Sequence, residues 1–288
     1  MGSNDIIKAT LSDEELEKTS TLLCLVWPKS GFTKKYLKWL YCDNPIGSAE
    51  AYNVWADDQI VAHYAAIPIK VNLHGVNETG LLSLNTAVHP SHRGKGYFRK
   101  LASCTYDDAF ANGFNFVVGV ANANSIELFI KQLQFQNVCQ LGVKIGIGFV
   151  KKIPIKLSEL QYKPLWNQEL LNWRLKRPDS SYKFYKVNKL VSIYSSLKKY
   201  GVQTNMYNQD SDLNAPKFLA QSKKIRWNPI TVWIGLDSNN DWSNAFYINL
   251  PEYFKPSPLN FIFKDLTKMG RTIDPKKILF SLIDFDAY

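Results

Sequence analysis

Leu81-Leu82-Ser83-Leu84-Asn85-Thr86-Ala87-Val88-His89-Pro90-Ser91-His92-Arg93-Gly94-Lys95-Gly96-Tyr97-Phe98 is the stretch whose reading decides the fold. Residues 81–88 form a short apolar run closed by Pro90, which predicts a buried strand, and residues 99–112 have the length and apolar spacing of a helix. Between them stand two glycines with a base on either side. Gly94 and Gly96 lack a Cβ, so their backbone can approach an anion closely, and the first free NH groups of the following helix point at the same place. Arg93, Lys95 and Arg99 add positive charge there. Further along, residues 114–120 predict a second strand and residues 125–133 an amphipathic helix, with Asn122 and Asn124 between them. Asn124 has two competing roles, helix N-cap and ligand contact, and they can coexist.

Strand, glycine loop and helix in this order resemble the pyrophosphate loop of the GNAT acyltransferase superfamily. The family pattern Arg/Gln-x-x-Gly-x-Gly/Ala falls on Ser91-His92-Arg93-Gly94-Lys95-Gly96. Ser91 departs from the usual Arg or Gln, and Phe98 stands where a small residue is common. The resemblance implies an α/β (α+β) chain with a central mixed, mostly antiparallel twisted sheet flanked by helices. It also implies that Val88, Arg93, Gly94, Lys95, Gly96, Tyr97, Phe98, Arg99, Asn122 and Asn124 hold acyl-CoA, the pantetheine arm lying where the two predicted strands splay. A backbone NH at Val88 is then expected to polarise the thioester carbonyl.

The acid and base of such a transfer are harder to place. Residues 81–88 include no ionisable side chain, so Ser83 and Asn85 can only position an amine or a water. His63, on the preceding predicted strand, is the best titratable candidate for a catalytic base; the competing reading is a satisfied core histidine. The tyrosine that protonates the leaving thiolate in many relatives is Ile130 here, which leaves water, Tyr97 or Tyr64. A water-mediated route without a dedicated acid or base is expected.

Composition fits an enzyme that stays in the cytoplasm. The 288 residues are 45% hydrophobic, no apolar stretch approaches a membrane span, and no signal-peptide pattern opens the chain. Cys24, Cys42, Cys104 and Cys139 show neither metal spacing nor a disulfide framework, so no metal is expected. The net charge of +10 points to an anionic partner. The bases are dispersed rather than gathered in one tract, which favours a phosphorylated small molecule over nucleic acid.

The chain also repeats itself. Residues 52–64 can be laid over residues 182–194 without a gap, and Tyr36-Leu37-Lys38-Trp39-Leu40 before the first copy corresponds to Leu170-Leu171-Asn172-Trp173-Arg174 before the second. Two ordinary hairpins of similar pattern are the competing reading. A duplication predicts a GNAT acyl-CoA-binding domain over residues 1–153 and a degenerate GNAT-like domain over 154–288, which lacks the glycine loop and contributes to the acceptor pocket. Arg226 and Trp227, with Tyr64 and Ser83, are the residues expected to meet the acceptor.

The whole chain, from Asn44-Pro45-Ile46-Gly47 through the glycine loop to Leu282-Ile283-Asp284-Phe285-Asp286, further resembles bacterial two-domain GNAT proteins of surface-polysaccharide synthesis (lipopolysaccharide, O-antigen, capsule). That resemblance implies an N-acyltransferase, monomer or homodimer, moving an acetyl or 3-hydroxybutyryl group from acyl-CoA to a nucleotide-linked amino sugar such as a dTDP-3-amino-3,6-dideoxyhexose. Acetylation of a protein or peptide amine and noncatalytic binding of coenzyme A are the alternatives.

Overall fold

A short strand, β1 (Ile6–Lys8), leads into α1 (Asp13–Val26), whose first turn is closed by the Ser12 side chain accepting from the Glu15 amide. Thr33 caps α2 (Lys34–Tyr41) in the same way through the Tyr36 amide. β2 (Glu50–Ala56) and β3 (Gln59–Leu73) form a hairpin about Asp57 and Asp58, both at positive φ as a two-residue turn of this hand requires. β4 (Val76–Val88) runs back along β3, a 3-10 turn at Pro90–His92 follows, and α3 (Tyr97–Ala111) begins two residues earlier than expected because Gly96, left-handed, serves as its N-cap. β5 (Phe116–Ala121), α4 (Ile126–Leu133) and β6 (Gln136–Gln140) complete this part. The computed structural model describes residues 5–28, 30–148, 150–153, 159–197, 202–221, 229–243, 245–254 and 257–285.

The chain continues through β7 (Gly142–Ile147), β8 (Lys151–Lys152), β9 (Tyr162–Pro164), α5 (Gln168–Leu175), β10 (Tyr182–Val187), β11 (Leu190–Leu197) and β12 (Val202–Asp210). β13 (Ile230–Asp237), β14 (Asn240–Asp241), β15 (Phe246–Asn249), β16 (Asn260–Asp265) and β17 (Leu279–Ser281) end it.

Two large sheets result, both mixed and mostly antiparallel, as the α/β expectation requires. The first has the order β1-β2-β3-β4-β5-β16-β6, with β9 against β3; the second has β10-β11-β12-β13-β7-β15, with β17 against β13. Strands β10 to β13 repeat the pairing of β2 to β5: two antiparallel contacts, then a parallel contact over three residue pairs. A register break recurs too. One extra residue enters β4 opposite His63 to Ala65, and one enters β12 opposite Ile193 to Tyr194. Each sheet then takes its next strand from elsewhere: β16 lies between β5 and β6, and β7 lies between β13 and β15. Both sheets therefore draw strands from either side of residue 153.

The first sheet is covered on both faces. Alternation along β3 sends Tyr64 and Ala66 into the layer with Leu101, Tyr106 and Phe129 of α3 and α4, and Ala65 and Ile67 into the layer with Leu23 and Leu37 of α1 and α2. Burial of each such leucine or aromatic stabilises the fold by roughly 1.5–3 kcal/mol. The second layer is continuous with the second sheet. Its centre is a reciprocal contact between α2 and α5: Trp39 Nε1 donates to the Trp173 carbonyl and Trp173 Nε1 to the Trp39 carbonyl, each at 2.9 Å, with the rings stacked 5.2 Å apart. Such mutual donation is what a local two-fold relation between the helices produces.

Candidate active site

β4 and β5 pair in parallel only at Leu81–Val117, Leu82–Val118 and Ser83–Gly119. Beyond Ser83, β4 stays on β3 as far as Val88, while no strand among the described residues pairs with its other edge. This gap lies next to the glycine loop. Gly94 and Gly96 have φ of 79° and 73°, open space surrounds both, and α3 starts with no side-chain cap on its amides. Arg93, Lys95 and Arg99 are exposed around that helix start. Uncapped amides, the positive end of a helix and three cations are the features that attract a polyphosphate.

Ser91, where the family pattern has Arg or Gln, bonds two imidazoles instead: its hydroxyl lies 2.7 Å from His89 Nδ1 and 2.9 Å from His92 Nδ1. Burial, followed by the charge of Lys95, pushes the His92 pKa down. Tyr97 is buried, and Phe98 is half-buried between Tyr64 and Phe129 with ring centroids 6.3 and 5.2 Å away.

At the end of β5, Asn122 rather than Asn124 organises the turn into α4, whose N-cap position is Ser125. Asn122 Oδ1 accepts from the amides of Asn124 and Ser125 at 3.0 Å each and from the Ser125 hydroxyl at 3.1 Å. This corrects the assignment of the cap to Asn124, which is exposed.

His63 does not sit where a general base must. It is 1% exposed, Nδ1 lies 2.7 Å from Asn53 Oδ1, and Nε2 lies 3.1 Å from the Tyr41 hydroxyl. Burial lowers its pKa to about 3, so it is neutral throughout the working range. Tyr64 and Ser83 are likewise interior, because both point toward α3: the Tyr64 hydroxyl donates to Ser83 Oγ at 2.7 Å and lies 2.5 Å from the Tyr106 hydroxyl. Burial pushes the Tyr64 pKa up to about 12. Neither meets an acceptor in this arrangement.

Asn85 stands on the stretch of β4 past its last pair with β5 and is half-buried. The β4 bulge puts it at φ 49° and turns it against α2, where its Nδ2 donates to the Tyr41 hydroxyl at 2.9 Å. Leu84 and Ala87, three residues apart, face the same layer on either side of it. Val88 is half-buried at the strand end. Arg226 and Trp227 lie outside the described residues.

Sequence reading missed Glu15, Tyr41 and Asn53, all buried and all bonded toward His63 and Asn85. A signal was there: Asn53 and His63 face each other across a hairpin whose turn is marked by Asp57-Asp58. Among the described residues no cluster of His, Cys, Asp and Glu could hold a metal ion. None of the described helices is long and apolar enough to cross a membrane.

Residues 8–127, which span the first sheet through β5 together with the loop and α3, match the family model of the acetyltransferase (GNAT) domain. Over those residues the chain is similar to GNAT acetyltransferase domains. That match supports an acyltransferase enzyme, and acyl-CoA is the co-substrate such domains use. No curated protein matches the chain. Solved structures do match it. A conserved protein from Enterococcus faecalis V583, described as a probable N-acyltransferase, is 15% identical, with 92% of this chain and 73% of that one covered at a TM-score of 0.63. A GCN5-related N-acetyltransferase from Anabaena variabilis is 11% identical over 91% of this chain and 73% of that one, with a TM-score of 0.61. Eis1 from Mycobacterium abscessus is 8% identical over 91% and 74%, with a TM-score of 0.56. At these identities the likeness is one of fold, and it extends beyond the GNAT domain into the second sheet.

Proposed function

We propose that the chain moves an acetyl or 3-hydroxybutyryl group from acyl-CoA to the amino group of a nucleotide-linked amino sugar such as a dTDP-3-amino-3,6-dideoxyhexose. One observation supports this most: a glycine-started, uncapped helix, with Arg93 and Lys95 in the loop before it and Arg99 in its first turn, stands beside the unpaired edge of β4. The first suits a pyrophosphate and the second an extended pantetheine arm. The backbone of residues 93–98, with the three cations, would hold the phosphates. Acyl-CoA supplies a thioester, whose C–S bond breaks as the sugar nitrogen bonds the carbonyl carbon, the amine giving up one proton and the thiolate taking one.

The Val88 NH on β4 is our candidate to polarise the carbonyl, and Asn85 our candidate to meet the amine. With His63 neutral and enclosed, protons leave and arrive through water. We take residues 1–153 as the acyl-CoA unit and 154–288 as its degenerate copy, lining the acceptor side; the repeated strand order and bulge support that division. The net charge of +10 suits an acceptor that carries a diphosphate. The setting we propose is bacterial surface-polysaccharide synthesis in the cytoplasm, by a monomer or homodimer.

A second reading, coenzyme A binding without transfer, is favoured by the absence of an ionisable side chain from residues 81–88. Thiol release from acetyl-CoA or 3-hydroxybutyryl-CoA, measured against a panel of nucleotide amino sugars and lysine peptides, separates the readings. Release that depends on one sugar supports the proposal. Release with peptides alone moves the acceptor to protein, and binding without any release leaves a noncatalytic module.

A further inference from the structure

Glu15, Asn53, His63, Tyr41 and Asn85 form one chain of hydrogen bonds, and its direction is settled at the acidic end. A carboxylate only accepts. Glu15 takes the amides of Thr10 and Leu11 at 2.6 and 3.0 Å, the Thr10 hydroxyl, and Asn53 Nδ2 at 2.6 Å. Asn53 thus turns its NH2 to Glu15 and its Oδ1 to His63, whose Nδ1, 2.7 Å away, must carry the ring proton. His63 Nε2 is then bare and accepts the Tyr41 hydroxyl at 3.1 Å. The Tyr41 oxygen, its own proton committed, accepts Asn85 Nδ2 at 2.9 Å. Asn85 is half-buried, and its remaining polar atom, Oδ1, has no partner among the described residues on the stretch of β4 past its last pair with β5.

We propose that this chain presents Asn85 Oδ1 as the acceptor that holds the attacking amine, and that Glu15 and Tyr41 are positioning residues that keep the amide from turning over. The inference rests on the N-acyl transfer reading above. Its chemistry is specific to orientation. An amide oxygen takes an N–H of the neutral amine and leaves the nitrogen lone pair directed at the carbonyl, whereas an amide NH2 in the same place would engage that lone pair. Asparagine suits the position twice over, since it tolerates the left-handed backbone of the bulge and carries both a donor for Tyr41 and an acceptor for the amine. No group in the chain needs to change its charge, which agrees with a burial that holds His63 neutral and the Tyr41 hydroxyl protonated.

The test has two arms. The ring nitrogen shifts of 15N-labelled protein should show His63 as the Nδ1–H tautomer; an Nε2–H tautomer overturns the direction of the chain whatever the substrate. In the second arm, acetyl-CoA is paired with the panel sugar that gives wild type its fastest thiol release. Tyr41→Phe and Glu15→Gln should each lower kcat about tenfold or more and leave the KM for acetyl-CoA within about twofold. Asn85→Gly, which keeps the backbone conformation, should lose more, and Asn85→Asp, which keeps an acceptor oxygen, should retain more than Asn85→Gly. Unchanged kcat in Tyr41→Phe, or losses confined to the KM for acetyl-CoA, overturn the proposal. Absence of release by wild type with every sugar overturns the transfer reading and the amine's place with it, while the tautomer still reports the chain's direction.

Discussion

The parallel pairs β4–β5 and β12–β13 separate after the same number of residue pairs, and what lies in each gap differs. In the first sheet the freed edge of β4 has no strand against it among the described residues, and the glycine loop sits next to it. In the second, β17 enters. Gly235 of β13 pairs with Gly142 of β7 on one edge and with Ser281 of β17 on the other, so β17 must lie on the side facing β12. The 3-10 turn Leu282–Asp284 packs against both strands. A Cβ on Gly235 would stand 2.4 Å from the Phe280 carbonyl oxygen, which shows how closely the segment is seated. Asp284 fastens it by accepting from the Ser281 amide and hydroxyl at 2.6 and 2.8 Å and from Trp166 Nε1 at 2.7 Å. One topology thus gives a slot and a filled slot. Lack of the glycine loop is only half of why the second sheet should not bind acyl-CoA; its gap is occupied by the chain itself.

Disturbing the segment that fills the second gap should have the largest effect. Phe280 is 1% exposed and packs on Phe261 and Phe285, so Phe280→Ala should cost about 3–5 kcal/mol in denaturant unfolding without creating a second acyl-CoA site. A loss below about 1 kcal/mol would mean the segment is not seated as described. Next in size is Gly96→Val, which forces a β-branched residue to φ 73° at the start of α3. It should weaken acyl-CoA binding by about 1–3 kcal/mol, read by calorimetry.

The α2–α5 contact relates the two halves through matched donors. Trp39→Phe and Trp173→Phe each remove one of two matched donors, so they should destabilise by similar amounts, about 1–2 kcal/mol, and not additively when combined. Unequal effects would argue against a two-fold relation. A further contrast between the two hairpins is in pH. His63 has a folded pKa lowered to about 3, and the second hairpin carries Ile193 at the matching place. Between pH 6.5 and 3 the unfolded chain binds the extra proton, so His63 favours folding above pH 6.5 and that favour is lost as pH falls toward 3, by at most roughly 1.4 kcal/mol per unit. His63→Gln should flatten this slope in acid melts.

Much of the first gap was legible. Gly94 and Gly96 between bases, Pro90 after an apolar run and the pattern of residues 114–133 mark a loop, two strands and two helices, because local backbone preferences and periodicity carry that information. The bulge was not, since Asn85 is re-aimed by pairing with β3 and by Tyr41 from another element. His63 was read by its residue type as the best titratable candidate for a base, against a satisfied core histidine, and the choice is decided by burial and by Asn53 and Glu15, which the sequence does not place beside it. The gapless overlay of the two hairpins slips by one residue at the turn, from Asp57-Asp58 to Asn188-Lys189, because β3 carries a bulge near Val54 that β11 lacks. The exchange of β7 and β16 leaves no local mark, as either strand reads as an ordinary continuation of its own half.

Calorimetric titration of the purified chain with acetyl-CoA, for wild type and Gly96→Val, counts the open slots and shows whether the glycine loop serves them. One equivalent bound by wild type and much weaker binding by the variant is the predicted result. Two equivalents, or equal binding by both proteins, would contradict a single open slot served by the glycine loop.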